Sequence, residues 1–388
     1  LLLDDEGKTR VRFRHLDIGC GKKTASVGRT QHLRGYDQAH QDLRQLLEKI
    51  GGLSCQDVGQ VFGSLGIDRE QYTAKPVLQL NPENTVCDTG KAIITAFLQT
   101  ARRNENGIIA DYDTEFLHDY RVSLRKVRSV LSLFKGVYSL EETILLKQDL
   151  ASLMQKTNTL RDLDVYLLNK QQYLSLVPAD THEGLDILFD YFARERKKEQ
   201  KNVGKVVRSK IYLKEIGRIE KLFVEGSALT VGPRGEEKSL GFACSLVLKR
   251  YEKVCKIARS IDEHTEDGVV HQLRINCKKL RYLMEFFAPF FPDNEIDTLI
   301  KALKLLQDNL GKFNDYSVQQ TFLRQVLKTK INGFGGLEVK VAEGVGALTA
   351  MLNRLQQKER RQVMKNFGHF DSSETRATLT KLFHTEAV

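Results

Sequence analysis

Residues 118–128, HDYRVSLRKVR, recur 153 positions later as residues 271–281, HQLRINCKKLR. Both stretches fit the pattern H-x-x-R-[VI]-x-x-[RK]-K-x-R, in which a histidine and four basic residues occupy the same places. Apolar residues also coincide at this offset without a gap, and Phe134, for instance, corresponds to Phe287. Coincidence of apolar residues is common among amphipathic helices, but coincidence of five polar positions is not. The chain therefore contains an internal repeat, the signature of a duplicated architecture.

The polar positions of the repeat predict two basic stripes. A helix turns about 100° per residue, so positions spaced three, four and three apart share one face. The first stripe comprises His118, Arg121, Arg125 and Arg128, and the second comprises His271, Arg274, Lys278 and Arg281. Like charges one turn apart repel by about 0.2–0.5 kcal/mol per pair. A bound polyanion would relieve this repulsion, so we interpret the stripes as an anion-binding surface.

Simpler interpretations of the same residues stay open. A basic stripe is often a solvated helix face, and each histidine could pack between helices with its ring bonded to the backbone. A metal site is disfavoured because neither His118 nor His271 has a cysteine or a second histidine at ligand spacing. Downstream aspartates would pair with the basic residues or cap the next helix. These aspartates are Asp162, Asp164 and Asp315.

The charge balance places the attraction for anions in one part of the chain. The 388 residues include 60 Lys and Arg against 50 Asp and Glu, a net charge of +10. Residues 1–88 contain equal numbers of basic and acidic side chains, so the whole excess lies beyond them. Further basic runs there, such as residues 249–256, are each typical of a solvated face, but together they favour a basic cleft between two halves.

Composition also excludes several classes of protein. Hydrophobic residues make up 41% of the chain, which is enough for a core and argues against disorder. No stretch approaches the roughly 20 apolar residues that span a bilayer, and no signal segment opens the sequence. The six cysteines are scattered without a C-x-x-C pair, so they indicate neither a zinc site nor a redox motif. We interpret them as reduced structural thiols and expect a cytoplasmic protein.

Apolar periodicity predicts a mainly helical protein beyond residue 85. The expected helices cover residues 89–105, 112–136, 141–156, 161–175, 183–201, 205–224, 238–260, 266–290, 293–309, 314–328 and 337–366. The loop from Gly226 to Gly235 divides this region, so we expect two halves, at residues 85–228 and 237–388.

The N-terminal part has a different pattern. Thr9 to Arg14 alternates as a strand does, and residues 36–50 and 55–65 predict two helices. This is little material for an independent sheet domain. Because the sequence also has no starting Met, we expect it to begin inside a domain.

The doubled helix, with an Asp-bearing segment about 40 residues after each copy, resembles the CHAD domain, the conserved histidine α-helical domain. The resemblance covers residues 85–388 and is strongest at residues 115–122. It implies a mainly α fold of two pseudo-symmetric four-helix bundles, with a basic surface that binds inorganic polyphosphate without catalysis. The implied contacts are His118, Arg121, Arg125, Arg128, His271, Arg274, Lys278 and Arg281. We expect Lys126 and Lys279 of the same motif to bind polyphosphate as well.

The two copies of the motif are not identical. Lys278 replaces the Arg125 of the first copy, which keeps the charge but loses the bidentate fork of a guanidinium. Asn314 stands where the first copy has Arg161. We therefore expect the two halves to contribute unequally.

Residues 1–80 resemble the end of a CYTH domain, the triphosphate tunnel fold, at Asp4–Thr9 and at Leu33–Tyr36. The hallmark E-x-E-x-K strand of that fold is absent from the sequence. Triphosphate hydrolysis with Mg²⁺ or Mn²⁺ is therefore expected only if that strand lies upstream. For this chain alone we expect neither a cofactor nor a metal.

Three alternatives to polyphosphate binding stay open. RNA binding through backbone phosphates is compatible with the charge, although the stripes lack interleaved aromatic residues for base stacking. Triphosphatase activity depends on the missing acidic strand. A pure scaffold would tolerate charge reversal at Arg121 and Arg274. If polyphosphate is the partner, we expect the protein to lie at cytoplasmic polyphosphate granules. We expect no contact with a membrane.

Overall fold

The computed structural model describes residues 2–20, 23–33, 35–54, 58–66, 72–224, 229–262, 264–330 and 333–384. The chain forms two compact units, Leu1–Thr73 and Ala74–Val388. The structure is mainly helical with one small sheet, which confirms the expected fold class.

The N-terminal unit contains an antiparallel sheet of three strands in the order β1-β2-β3. The strands are β1 (Leu2–Leu3), β2 (Thr9–Cys20) and β3 (Lys23–Gln31), and they are followed by the helices α1 (Asp37–Lys49) and α2 (Val58–Ser64). The strand predicted from residue 9 and the helix predicted over 36–50 are confirmed. Of the helix predicted over 55–65, residues 55–57 lie outside the described residues, as does Arg34 of the CYTH-like stretch.

The helical unit begins with the first repeat. Its helices are α3 (Val86–Ala110), α4 (Thr114–Leu133), α5 (Leu140–Gln155), α6 (Asn158–Leu168), α7 (Lys170–Ser175), α8 (His182–Arg208) and α9 (Lys210–Val224). The cap of α3 shows how its start is fixed: the Thr85 side chain accepts a hydrogen bond from the Asp88 backbone N–H.

The second repeat follows the same plan. Its helices are α10 (Ser239–Arg259), α11 (Asp267–Phe287), α12 (Asp293–Lys330), α13 (Glu338–Phe370) and α14 (Ser373–Phe383). The starts of α10, α11 and α12 each lie 153 residues after those of α3, α4 and α5. The break that we expected between residues 309 and 314 is wrong, because α12 is continuous and buries Leu310 and Phe313 within it. The helix α14 lies beyond the predicted helices.

Contacts between equivalent residues reveal a pseudo-twofold relation between the repeats. The Val86 N–H donates to the Glu237 carbonyl over 2.9 Å, and the Ser239 N–H donates to the Asn84 carbonyl over 3.0 Å. Val86 is equivalent to Ser239 and Asn84 to Glu237, so the pseudo-twofold operation turns each of these hydrogen bonds into the other. Phe134 and Phe287, also equivalent, stack with ring centroids 5.3 Å apart and planes inclined by 7°. Each repeat thus contacts the other through the same surface.

The core joins the repeats rather than separating them. The larger apolar cluster draws mainly on α3, α4, α5 and α9 from the first repeat and on α10, α11, α14 and parts of α12 and α13 from the second. A smaller cluster is built by α6, α7 and α8 together with parts of α12 and α13. There α8 and α13 approach closely, since a Cβ at Gly184 would lie 1.9 Å from the Lys340 carbonyl oxygen. Among the described residues, no helix is both long and apolar enough to cross a bilayer.

We expect the stacked phenylalanines to stabilise the junction of the repeats. Replacing Phe134 or Phe287 by Ala should lower the free energy of unfolding by about 3–5 kcal/mol, since each ring is buried. The double variant should show a coupling of about 0.5–1.5 kcal/mol in urea denaturation. Tyr112→Ala, at an exposed ring, serves as the control and should change stability by less than about 0.5 kcal/mol. Strictly additive losses at Phe134 and Phe287 would show that the stacking itself contributes nothing.

Candidate functional site

The first basic stripe lies along one side of α4. The apolar residues of α4, among them Leu117, Leu124 and Val127, are buried in the larger core. The helix is oriented by this core, and its four stripe residues are left half-buried beside the junction of α5 and α6. The same arrangement holds for α11, where His271 is exposed and the other three stripe residues are half-buried.

His118 is held by an arginine from the next helix pair. Its Nδ1 lies 2.7 Å from Nη2 of Arg161. A guanidinium is always charged and only donates, so the imidazole must accept this hydrogen bond and is neutral. Burial and the Arg161 charge both lower the pKa of His118. The proton of this ring therefore resides on Nε2.

Arg121 is anchored by neutral oxygens. Its Nη1 donates to the Met154 carbonyl over 2.9 Å and to the Thr157 hydroxyl over 2.6 Å. These acceptors are available because α5 ends at Gln155 and α6 begins at Asn158, which interrupts the helical hydrogen bonds between them. Burial lowers the pKa of Arg121, since desolvation disfavours the charged form.

The second stripe has weaker local anchors. Nδ1 of His271 lies 2.8 Å from Oδ1 of Asn314, which accepts, so this ring carries its proton on Nδ1. Nη2 of Arg274 lies 3.7 Å from Asp315, an ion pair without hydrogen-bond geometry. The substitution of Arg161 by Asn314 thus changes Nδ1 of the motif histidine from an acceptor in the first repeat to a donor in the second.

Cations from the two stripes act on one another. Burial lowers the pKa of Arg274, and the Arg125 charge lowers it further despite Asp315. Lys278 is affected more strongly: burial, followed by the charges of Arg274 and Arg125, lowers its pKa to about 8. Since Arg125 belongs to α4 and the others to α11, cations of the two stripes lie close enough to affect one another. We call these eight residues the paired stripes; they are His118, Arg121, Arg125, Arg128, His271, Arg274, Lys278 and Arg281.

Several guanidinium donors in the paired stripes have no acceptor. Among the described residues, no hydrogen bond is made by the buried Nε atoms of Arg121, Arg128, Arg274 and Arg281, nor by Nη1 of Arg161. The Nε of Arg281 has only an ion contact of 3.3 Å with Glu285. A buried donor left unsatisfied costs about 1–3 kcal/mol, and more when it is charged. An anion seated between the stripes would supply the missing acceptors.

Lys126 is placed differently from the other residues predicted for the site. Its side chain is 12% exposed and pairs with Glu285 of α11, while Nζ lies 4.9 Å from the Tyr282 ring centroid and 5.3 Å from that of Phe97. Burial lowers its pKa although Glu285 opposes this effect. Lys126 is therefore neutralised within the protein and does not belong to the paired stripes.

Lys279 also lies away from the paired stripes. It directly follows Lys278, so the helix turns it by about 100° from that stripe residue. The charges that act on it most strongly after burial are those of Arg250 and Lys253 on α10. Lys279 is thus part of a different group of cations.

Arg161 is absent from the expected contacts, although the sequence already pairs it with Asn314. It lies 43 residues after His118, the spacing that also separates Asn314 from His271. This shared spacing was the available signal. Of the three aspartates, Asp315 pairs with a stripe residue, whereas Asp164 binds Arg196 over 2.8 Å. Burial raises the pKa of Asp162 against the charges of Arg121 and Arg161.

One acidic group near the stripe resembles a metal site. Glu115, His118 and Asp119 place ligand atoms within 4.8 Å of one another, the only such group among the described residues. The Arg161 guanidinium already occupies Nδ1 of His118 and repels a cation. This trio does not fit a divalent ion well.

Comparisons with known proteins agree on the helical region. The CHAD domain family model matches residues 92–324. The crystal structure of the CHAD domain from the plant Ricinus communis superposes with a TM-score of 0.61 at 23% identity, covering 81% of this chain and 98% of that one. PptA from Streptomyces chartreusis superposes with a TM-score of 0.55 at 14% identity, covering 73% and 99%. At these identities the two structures support the fold alone.

Curated relatives match about half of the sequence. Two uncharacterized proteins of Mycobacterium tuberculosis, from the strains CDC 1551 and H37Rv, are each 24% identical over 215 residues, 54% of this chain. The match covers 40% of each relative, so this chain spans well under half of their length.

We expect the pair of Lys126 and Glu285 to stabilise the fold. Glu285→Gln should lower the free energy of unfolding by about 3 kcal/mol, because it leaves a largely buried ammonium without its counter-ion. Adding Lys126→Met should recover most of this loss, as measured by urea denaturation. Glu183→Gln breaks the exposed pair with Lys340 and serves as the control, with a loss below about 1 kcal/mol. Equal losses in Glu285→Gln and the control would contradict this role.

Proposed function

The chain belongs to the CHAD domain family, and we propose that it binds inorganic polyphosphate, without catalysis, along the paired stripes. The observation that carries this proposal is a set of buried guanidinium donors that find no acceptor among the described residues, four of them at equivalent positions in the two repeats. Phosphate oxygens are charged acceptors, and a guanidinium presents its donors to them in a fixed fork. The repeated spacing of the donors suits a ligand that is itself repetitive.

The chemistry of the stripes favours polyphosphate over RNA. Their eight residues are Arg, Lys and His, which offer donors and positive charge to phosphate oxygens but no Phe, Tyr or Trp ring on which a base could stack. Polyphosphate presents phosphate groups without bases, so such a surface satisfies the whole ligand. RNA would gain only its backbone contacts.

The motif histidines complete the proposed surface in different ways. His118 is neutral with its proton on Nε2, so it can donate that hydrogen to a phosphate oxygen. His271 uses Nδ1 to donate to Asn314, so Nε2 is the ring nitrogen left for a ligand.

For the N-terminal unit we retain the relation to the CYTH fold as a proposal. The antiparallel strands β1, β2 and β3 are compatible with it. The E-x-E-x-K strand, which would hold Mg²⁺ or Mn²⁺, is absent from these 388 residues, so no catalytic step is assigned to them.

We expect Arg121→Gln and Arg274→Gln each to weaken the binding of long-chain polyphosphate by about 10–100-fold at low salt. This range corresponds to one charge-assisted hydrogen-bond contact of about 1.5–3 kcal/mol. By analogy with nucleic acids, the double variant should also show a shallower dependence of affinity on salt, by about 0.7–0.9 per lost contact. Filter binding of labelled polyphosphate between low and high salt measures both effects.

The control for this experiment is Lys358→Gln combined with Lys365→Gln, two exposed residues of α13 that make the same change in net charge. It should alter affinity by less than about twofold, because surface charges far apart are largely screened. Absence of polyphosphate binding by the unaltered protein at low salt would overturn the proposed function. RNA that displaces polyphosphate as well as polyphosphate displaces RNA would also overturn it.

Lys278 gives the binding a pH dependence. Its pKa of about 8 means that the free protein loses this charge as pH rises through 8, so affinity for polyphosphate should fall between about pH 7.5 and 9.5. Lys278→Arg, which restores the residue found in the first repeat, should keep its affinity over that range. Titrations with polyphosphate at each pH compare the two proteins.

The same residue links pH to stability with a defined sign. The folded-state pKa of Lys278 lies below its ordinary value of 10.5, so between about 8 and 10.5 the unfolded chain binds more protons than the folded one. Stability should therefore rise with pH in this window, relative to Lys278→Arg. Parallel pH profiles of the two proteins, in binding and in urea denaturation, would contradict the role given to Lys278.

A further inference from the structure

A cavity of about 480 Å³ lies between α10 and α14, in the second repeat. Most of its lining comes from the C-terminal half of α10, which contributes Tyr251, Cys255, Lys256 and Arg259, and α14 contributes Arg376. Small-molecule ligands occupy cavities of about 300–1,000 Å³, so this one has the volume of a binding site. None of its lining residues belongs to the paired stripes.

The side chains of the cavity converge on Asp371, at the end of α13. Its Oδ2 accepts a hydrogen bond from Nη2 of Arg259 over 2.8 Å and lies 3.6 Å from Nη1 of Arg376. Its Oδ1 accepts hydrogen bonds from the Tyr251 hydroxyl and from the Cys255 thiol, whose Sγ is 3.8 Å away. The Asp371 side chain is 7% exposed. Both carboxylate oxygens are therefore engaged within the protein.

The protonation states of this group agree with its contacts. Burial opposes the ionisation of Asp371, but the hydrogen bonds from Tyr251 and Arg259 lower its pKa. Burial raises the pKa of the Cys255 thiol to about 11, so the thiol stays protonated at neutral pH and can donate to Asp371. Asp371 is thus an ionised carboxylate that holds the arginines in place.

The charges around the cavity do not balance. Lys256, Arg259 and Arg376 line it, against the carboxylates of Glu252 and Asp371, so one positive charge is in excess. Within the described residues, each of the two guanidiniums contacts Asp371 and no other acceptor. Their remaining N–H donors are available to an anion that enters the cavity.

The equivalent place in the first repeat is filled. There α9 packs on α3, as α14 packs on α10. Cys255 corresponds to Arg102, and the buried Ala258 corresponds to Glu105. Nη1 of Arg102 donates to both carboxylate oxygens of Glu105, over 2.8 and 2.9 Å, and its Nε lies 3.7 Å from Glu220 of α9. Smaller side chains in the second repeat thus leave open a volume that an ion pair fills in the first.

We propose that the cavity between α10 and α14 binds a small organic acid that has one carboxylate on a flat apolar body. The carboxylate binds the available donors of Arg259 and Arg376, because the fork of a guanidinium matches the two oxygens of a carboxylate. The apolar body lies against the ring of Tyr251. This ring is held in place by Asp371 and by an edge contact with Phe370, whose centroid is 5.9 Å away. The proposal does not depend on the function of the paired stripes.

The single excess charge favours a carboxylate over a phosphate. A phosphate monoester carries about −1.5 to −2 charge at neutral pH, and a polyphosphate chain carries more. Either ligand would bring more negative charge than the cavity has in excess, close to Glu252 and Asp371. A neutral aromatic compound would leave the guanidinium donors without an acceptor. A monocarboxylate satisfies both the charge and the donors.

The test uses 2-naphthoate as the probe, with binding measured by calorimetric titration and by saturation-transfer NMR. We expect a Kd of about 1 mM, as is usual for a ligand of this size. Arg376→Gln should weaken binding by about tenfold, because it removes one of the two guanidiniums that face the carboxylate. The Arg376 side chain is 53% exposed, so this substitution is compatible with folding.

The matched control is Arg361→Gln, which makes the same change at an exposed residue of α13 and should alter the affinity by less than about twofold. Cys255→Arg combined with Ala258→Glu rebuilds the pair of the first repeat and should abolish binding by filling the cavity. If this double variant does not fold, Arg376→Gln and its control still decide the question.

Three results would overturn the proposal. The first is equal affinity of Arg376→Gln and Arg361→Gln for 2-naphthoate, or no binding by the unaltered protein. The second is equal binding of 2-naphthol, which has the same apolar body without the carboxylate. The third is displacement of 2-naphthoate by an equal concentration of tripolyphosphate, which would identify the cavity as a phosphate site.

Discussion

The half-buried positive charges of α4 and α11 carry a free-energy cost that the rest of the helical unit must offset. Burial lowers the pKa of Arg121, Arg274 and Lys278, so each of these groups opposes folding while it remains charged. The large core shared by both repeats offsets this cost. Local anchors limit the freedom of the side chains without neutralising them, as the Met154 carbonyl does for Arg121.

Much of this arrangement could be predicted from the sequence. A repeated pattern of polar residues identified the two motif helices, and helical spacing placed their cations on one face, because both depend only on local periodicity. We expected the two stripes to approach each other because they lie on equivalent helices of a duplicated fold. The Arg125 charge lowers the pKa of Lys278, which supports this expectation. The domain boundaries, the CYTH relation and polyphosphate as a ligand remain predictions.

The parts that could not be predicted depend on tertiary contacts. Lys126 and Lys279 occupy the same motif position, yet one is neutralised by Glu285 and the other faces cations, because their neighbours come from α3, α5 and α10 at unrelated places in the sequence. The repeated motif predicts both as binding residues. Likewise the periodicity predicts separate helices over 293–309 and 314–328, whereas Leu310 and Phe313 continue the buried side of one helix, α12.

The junction between the repeats also bears on how such a chain could have arisen. A protein with a single repeat would expose the surface around Phe134 and the open backbone groups near Asn84, and an identical second copy would cover both. The same residues would then meet their own counterparts across a true twofold axis, which is the isologous contact of the commonest homodimers. Fusion of two such copies into one chain frees each half to diverge, and the unequal surroundings of Lys126 and Lys279 are what that freedom produces.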